Sequence, residues 1–356
     1  MKNDAANAGI KDIANALNVS IGTVDRALHG RPGVSEKTKV KVLAMADKLG
    51  YKPNLAAQAL KLNRRLSIGV VLPKYIAHFF DPMRAGIRAA SAAAVGMQVG
   101  LEFYEYARLG SGDIAAMESA LGQHHDGVIF VPGDPRQFHS LIQKFARSGT
   151  ATLCVGSDAP NTDRSGTVAA HAYVSGAIAA ELLALTLRDK ANVAIFTGER
   201  HTFDHAEKLR GFAATLALQA PHLTLLPALE NHEKPEEAYR QALALMKQAD
   251  RPAGLYLSTA NSMPVIRALD EVGLLGTVQV ITTDLFRELV PLLEYGKVLA
   301  TLHQRPYTQG KMAFESMLGL LTHPGKKHPA VWLAPHVILR SNLPLFSHLI
   351  TDTDEE

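Results

Sequence analysis

Two hydrophobic rhythms divide the chain. Over the first sixty residues, apolar positions recur at helical spacing between sharp breaks. Ile10, Ile13, Ala14 and Leu17 predict a helix near 10–17, and Asn18 tolerates the left-handed turn that ends it. Ser20 stands where an N-cap belongs, before IGTVDRAL, whose Val24, Ala27 and Leu28 form an apolar face. Gly30, Pro32 and Gly33 interrupt the pattern. A third helix opens at Ser35, runs through Val40, Leu43, Ala44 and Leu49, and stops at Gly50. Helix, tight turn, helix and supporting helix is the helix-turn-helix layout.

From Ile68 the rhythm changes to short β-branched runs alternating with helical stretches. The expected strands are SIGVVLP, VGLEFYEY, DGVIFVPG, ATLCVGS, NVAIFTG, LTLLPALE, GLYLST, VQVITTD and LATLHQ. Helices are expected at 82–95, 113–122, 171–187, 204–218, 236–248, 262–272 and 307–321. Such alternation implies parallel sheets flanked by helices, an α/β body behind a small all-α head. The strands divide into two sheets near residue 165, at the loop NTDRSG.

Composition adds a compartment and a polarity. The chain has 356 residues, 47% hydrophobic and 20% charged, which fits a globular protein of two or three domains. No apolar stretch reaches the roughly 18 residues of a membrane span. MKNDAANAGIKDIANAL lacks the apolar core and cleavage site of a secretory signal. A single cysteine, Cys154, excludes a disulfide framework, so a reducing cytoplasm is the expected location. The formal charge of +3 hides a division: residues 1–66 carry twelve basic and five acidic side chains, a net +7, and the remaining 290 carry −4. Positive charge gathered in one terminal module suits binding to a phosphate backbone. A solvated lysine-rich helical face is the alternative.

IKDIANALNVSIGTVDRALHGRPGVSEKTKVKVLAMADKLGYKPNLAAQALK resembles the DNA-binding head of the LacI/GalR family of bacterial repressors, without a gap over residues 10–61. The resemblance implies a helix-turn-helix head over 1–52, a hinge helix and linker over 53–66, a two-lobed effector-binding and dimerisation domain over 67–345 and an acidic tail over 346–356. It places Ile21, Gly22 and Arg26 at base-reading positions. Arg26 is suited to a bidentate bond with a guanine edge, the alternative being a phosphate contact. Ser20, Thr23 and His29 are expected on phosphates. Asp25 departs from the family's serine and takes no phosphate role. Asn54, Ala57, Leu60 and Lys61 fall in the hinge segment, Leu60 matching the leucine that wedges between base pairs from the minor groove. So short a helix needs a dimer partner and DNA to form. The implied partners are a pseudo-palindromic double-stranded operator, a second copy of the chain and a small-molecule effector.

The body resembles the periplasmic-binding-protein-like (type I) core of the same family, its lobes divided near 165 with a return crossover near 302. Ligands of open parallel sheets sit beyond the carboxyl ends of strands. Asp284 and Gln304 end two strands at the spacing of the family's ligand pair, and Asn261 matches a third sugar-contacting position. Ser157, Asp158, Phe79 and Phe80 also follow strands, with one of the two adjacent rings expected to face the ligand. Each has a duller alternative: Asp284 and Asp158 as helix caps, the rings as core. His205 or Ala206 stands where many relatives carry a ligand-binding arginine, and His171 and Ala172 replace an acidic-plus-amide pair. His201 and His205 are candidate cleft residues, with surface histidines as the alternative. The set suits a polyol or sugar.

An enzyme and a non-sugar metabolite receptor are the competing readings. The chain has no HExxH, phosphate loop or GxSxG elbow, so no catalytic residue, metal or cofactor is expected. His124-His125-Asp126 reads as a polar turn and Cys154 as inert core. A transport receptor would share the body and lack the basic head.

Overall fold

The computed structural model describes residues 10–28, 32–49, 65–323 and 329–350. The chain forms two compact units, Met1–Arg64 and Arg65–Glu356. In the first, helices α1 (Ile10–Leu17), α2 (Ile21–Leu28) and α3 (Glu36–Lys48) enclose Ile13, Ala14, Val24, Ala27, Val42 and Ala46. Asn18 turns the chain with φ 50°. Two Ser-x-x-Thr caps start the next helices: Ser20 Oγ accepts from the Thr23 N–H at 3.0 Å, and Ser35 Oγ from the Thr38 N–H at 3.2 Å.

The third helix corrects the expected face. Val40 is 63% exposed and Leu43 44%, whereas Val42 and Ala46 are buried. Its sequence carries two apolar stripes at helical spacing, and only one can meet the small core made by α1 and α2.

The second unit contains two sheets. The first runs β12-β5-β4-β3-β1-β2, with every neighbouring pair parallel. Its strands are β1 (Leu66–Pro73), β2 (Val99–Tyr106), β3 (Gly127–Phe130), β4 (Ala151–Val155), β5 (Gly166–Ala170) and β12 (Val331–Leu333). The second runs β13-β11-β10-β9-β6-β7, and β8 also pairs with β6. Its strands are β6 (Ala191–Thr197), β7 (Leu223–Leu225), β8 (Leu229–Glu230), β9 (Gly254–Leu257), β10 (Gln279–Thr283), β11 (Ala300–His303) and β13 (His336–Ile338). All are parallel to their neighbours except β13, which runs antiparallel to β11.

Several details differ from the sequence pattern. The chain leaves the first sheet at His171 rather than near 165, because β5 pairs with β4 through Leu153, Cys154 and Val155. It returns after β11, close to the expected 302, and crosses once more between β12 and β13. LTLLPALE breaks into β7 and β8 around Pro227, which has no N–H for the ladder. A further helix, Pro135–Arg147, buries Phe138, Leu141, Ile142 and Phe145.

Each lobe is fastened by one intimate helix pair. Ala77–Ala93 lies on Pro306–Thr322, where a methyl at Gly86 would stand 2.1 Å from Tyr307 O and one at Gly310 2.0 Å from Met83 O. In the other lobe, Ala172–Thr186 lies on Phe203–Gln219, with a methyl at Gly176 2.0 Å from Lys208 O and one at Gly211 2.0 Å from Tyr173 O. Glycine is required at all four contacts because backbone meets backbone. His125 is a structural pin: Ser67 Oγ lies 2.7 Å from its Nδ1 and Tyr104 Oη 2.8 Å from its Nε2. Cys154 is fully buried, and burial pushes its thiol far up.

Candidate functional site

Val24 and Ala27 point into the core, leaving Ser20, Ile21, Gly22 and Arg26 exposed and Thr23 half-buried. Ser20 and Thr23 share a hydroxyl–hydroxyl bond of 2.8 Å, so they shape the start of the helix as well as facing outward. Arg26 lies across two glycines: a methyl at Gly22 would sit 3.6 Å from its Nη2 and one at Gly33 3.8 Å from its Cδ. That spacing is ordinary contact, so Gly22 is not dictated by crowding. His29, Asn54, Ala57, Leu60 and Lys61 lie outside the described residues.

In the second unit, a cavity opens at the carboxyl ends of the strands of both sheets. After β1 come Ile76, Phe79 and Phe80, after β2 Leu109, after β3 Val131, and after β4 Gly156 and Ser157. The second sheet supplies Asp204, His205 and Lys208 after β6, Glu233 after β8, Thr259 and Ala260 after β9, and Gln304 after β11. The switch from strand to helix at this edge gathers polar side chains there.

The structure therefore brings together Phe79, Phe80, Ser157, His205 and Gln304 of the sequence candidates. Both rings reach the cavity, where one was expected, because they stand in the first turn of their helix and fan out edge to face, 4.9 Å between centroids at 86°. Asp284 stands one residue deeper: it accepts from the Gln304 N–H at 2.8 Å and from Gln304 Nε2 at 2.6 Å, and thus anchors the glutamine. Asn261 is half-buried beside the lining, its Nδ2 3.4 Å from Glu233 O. Asp158 is taken up elsewhere, by Arg164 Nη2 at 2.7 Å and the Ala159 N–H at 2.8 Å, and does not line the cavity. His201 is exposed and lies 3.2 Å from Arg136 Nη2, an interlobe contact outside the cavity.

Four more lining residues, Asp204, Lys208, Glu233 and Thr259, are not singled out by the sequence pattern. The available signal is the Asp-x-x-x-Lys spacing after β6, which puts both groups on one helical face. Lys208 Nζ, in a residue only 1% exposed, lies 3.3 Å from Asp204 Oδ2 and donates to Ser258 O at 3.1 Å. Burial pushes the Asp204 carboxyl up, but His205, Lys208 and Ser157 outweigh it and hold the group below its ordinary range. The Asp284 carboxyl is likewise held low, burial being outweighed by His303 and the two Gln304 bonds. Glu233 goes the other way: burial raises it, and His205 and the Thr259 hydroxyl only partly compensate.

Backbone strain collects here too. Ile76, His232, Glu233, Asp284 and Arg305 all have φ between 53° and 66°, a left-handed conformation that such residues adopt at a cost of roughly 1–3 kcal/mol each. The lobes also touch directly. His78 Nε2 donates to Ala260 O at 3.0 Å, and the Asp204 N–H reaches Ser157 Oγ at 3.4 Å. Among the described residues, Glu199, Glu230 and His232 bring three potential metal-ligating atoms within 4.8 Å, but each group already bonds within the chain.

Residues 9–54 match the model of bacterial regulatory proteins of the lacI family, and residues 68–327 match the periplasmic binding protein domain. Catabolite control protein A of Priestia megaterium is 23% identical over 75% of this chain and 79% of its own length. The HTH-type transcriptional repressor PurR of Klebsiella pneumoniae is 22% identical over 94% of this chain and 97% of its own. A solute-binding protein of Burkholderia graminis in complex with D-arabinose shares the body's fold, with TM-score 0.71 and 20% identity over 78% of this chain and 96% of that one. So does a Bacillus halodurans solute-binding protein with bound myo-inositol, at TM-score 0.71 and 17% identity over 80% and 98%. No helix among the described residues is long and apolar enough to cross a membrane. The chain belongs to the lacI family of bacterial regulatory proteins, a DNA-binding transcriptional regulator whose body is a periplasmic binding protein domain.

Proposed function

We propose that this regulator is a cytoplasmic homodimer of repressor type, whose hold on a pseudo-palindromic operator is set by a small sugar-like or polyol effector bound between the lobes. One observation carries the reading. A cavity at the strand ends sets the paired rings of Phe79 and Phe80 against Ser157, Asp204, His205, Glu233 and Gln304, an apolar face opposite hydroxyl-binding groups. The solute-binding proteins of the same fold in complex with D-arabinose and with myo-inositol agree with that chemistry. The head reads two half-sites through Arg26 and its neighbours on α2, and Leu60 of the hinge segment enters the minor groove between them. The effector acts by binding the two lobe arrangements unequally, since differential affinity alone can shift the DNA-bound population. The cavity serves recognition and no reaction is assigned to it.

Selection of operator sequences from a random library, followed by a thermal-shift screen of sugars and polyols, tests the proposal. A compound that raises the melting temperature and also changes operator affinity at fixed salt supports it. A palindrome bound identically with and without every stabilising compound would sink it.

A further inference from the structure

The effector-binding reading leaves a charge unaccounted for. Glu233 is 2% exposed, lines the cavity, and has the Thr259 hydroxyl 2.8 Å from one carboxylate oxygen and 2.6 Å from the other. A hydroxyl has one proton to give, so one oxygen of this buried carboxylate lacks a donor from it. Among the described residues, the nearest nitrogen of a basic side chain is His205 Nε2 at 3.7 Å. That ring's Nδ1 lies 3.1 Å from Glu199 N and 3.2 Å from Glu199 O, and its Nε2 stands 3.7 Å from Asp204 as well as from Glu233. Lys208, the lysine of the lining, is matched by Asp204 at 3.3 Å and by Ser258 O. Among the described residues, Glu233 therefore has no lysine or arginine nitrogen in ion-pair contact, and its one basic neighbour, His205, is shared with Asp204.

The surroundings deepen this imbalance. Glu199 and Glu230 come together with His232 at the strand ends next to Glu233. The Tyr75 phenol is pushed up by burial and then by Glu233 and Glu236, against a smaller opposing pull from Arg108. A buried carboxylate without a cation is costly, and its cost falls when a charged partner arrives. An anionic ligand would meet Glu233 itself and a lysine already matched by Asp204.

We infer that the effector is a polyhydroxylated amine, an amino sugar or close analogue, whose protonated nitrogen is received by Glu233. This rests on the sugar-like effector reading and narrows it. The ammonium supplies the missing donors, while the rings of Phe79 and Phe80 and the amide of Gln304 meet the rest of the frame.

The test is calorimetric titration of the full chain at pH 7 with D-glucosamine, D-galactosamine and D-mannosamine, each beside its parent hexose and its 6-phosphate. The expected result is at least tenfold tighter binding of one amine than of its parent, with no binding of the phosphates. Glu233→Gln should erase that advantage, so that the amine and its parent hexose bind within about twofold of each other. Wild-type titrations at pH 7 and pH 4.5 give a second readout that does not depend on how the variant folds, because protonating Glu233 should shrink the same advantage. Parent sugars or phosphates binding as tightly as the amines would overturn the inference and leave the sugar reading standing. If no compound of the panel binds, the amine inference falls, and the sugar reading is decided by the wider screen of sugars and polyols.

Discussion

Gln304 is held at both ends by one carboxylate: its backbone N–H reaches Asp284 Oδ1 at 2.8 Å and its side-chain amide reaches Oδ2 at 2.6 Å. The glutamine lines the cavity and Asp284 sets its orientation, so Asp284→Asn keeps the volume and loses one acceptor. Effector affinity is expected to fall at least tenfold, with effector-free DNA binding unchanged, measured by calorimetry and operator anisotropy. Loss of folding in this isosteric variant would mark Asp284 as a structural cap instead.

Acid stability separates three carboxyls at the strand ends. Asp284 and Asp204 sit below the ordinary aspartate value of 3.8 when folded, so each contributes stability that is present above that pH and is lost as pH falls through the folded value. Glu233 is raised above 4.5, so its penalty on folding sets in as pH rises through 4.5, is complete above the folded value, and disappears on acidification. Glu233→Gln should therefore unfold at higher urea than the parent at pH 7, and at nearly the same urea at pH 4. A variant less stable at neutral pH would contradict this.

The glycine contacts between helices predict a sharp asymmetry among alanine substitutions. Gly86→Ala and Gly211→Ala put a methyl 2.1 and 2.0 Å from carbonyl oxygens and should cost at least ~2 kcal/mol in denaturant unfolding. Gly122→Ala meets nothing within 4 Å inside its helix and should be neutral or gain up to ~1 kcal/mol. Equal effects at all three sites would refute the backbone-to-backbone packing.

On the head, Gly22→Ala has room for its methyl and should stabilise the helix by up to ~1 kcal/mol. Arg26→Lys gives up the planar fork and should lose ~1–3 kcal/mol of discrimination at one base pair while keeping the salt dependence of binding. Urea unfolding reads the first effect, and competition anisotropy with single-base operator variants at two salt concentrations reads the second.

The strand-and-helix alternation and the helix-turn-helix punctuation were legible because each rests on local periodicity. Strands β5, β12 and β13 were not, since GTVAA is built mostly of small residues and the other two have three residues each, so all three owe their pairing to distant neighbours. The helix Pro135–Arg147 was readable: Asp134 caps it, Pro135 starts it, and Phe138, Leu141, Ile142 and Phe145 keep its period. In the cleft, Asp284 and Gln304 stood out by position, whereas Glu233 did not. Its place depends on two successive left-handed residues, His232 and Glu233, in a turn that no apolar pattern announces. Lys208 was hidden for a different reason, because a lysine on a helix reads as solvated until its neighbours are known.

The four glycines that let helices touch backbone to backbone also decide where the body bends. Helices fused that closely cannot slide, so each lobe turns as a stiff arm. Compliance is left to three thin strips of chain, at His171, at Gln304–Arg305 and between β12 and β13. One of those strips is also a wall of the cavity. A molecule seated against Gln304 therefore presses on the joint itself, and recognition and leverage become the same contact.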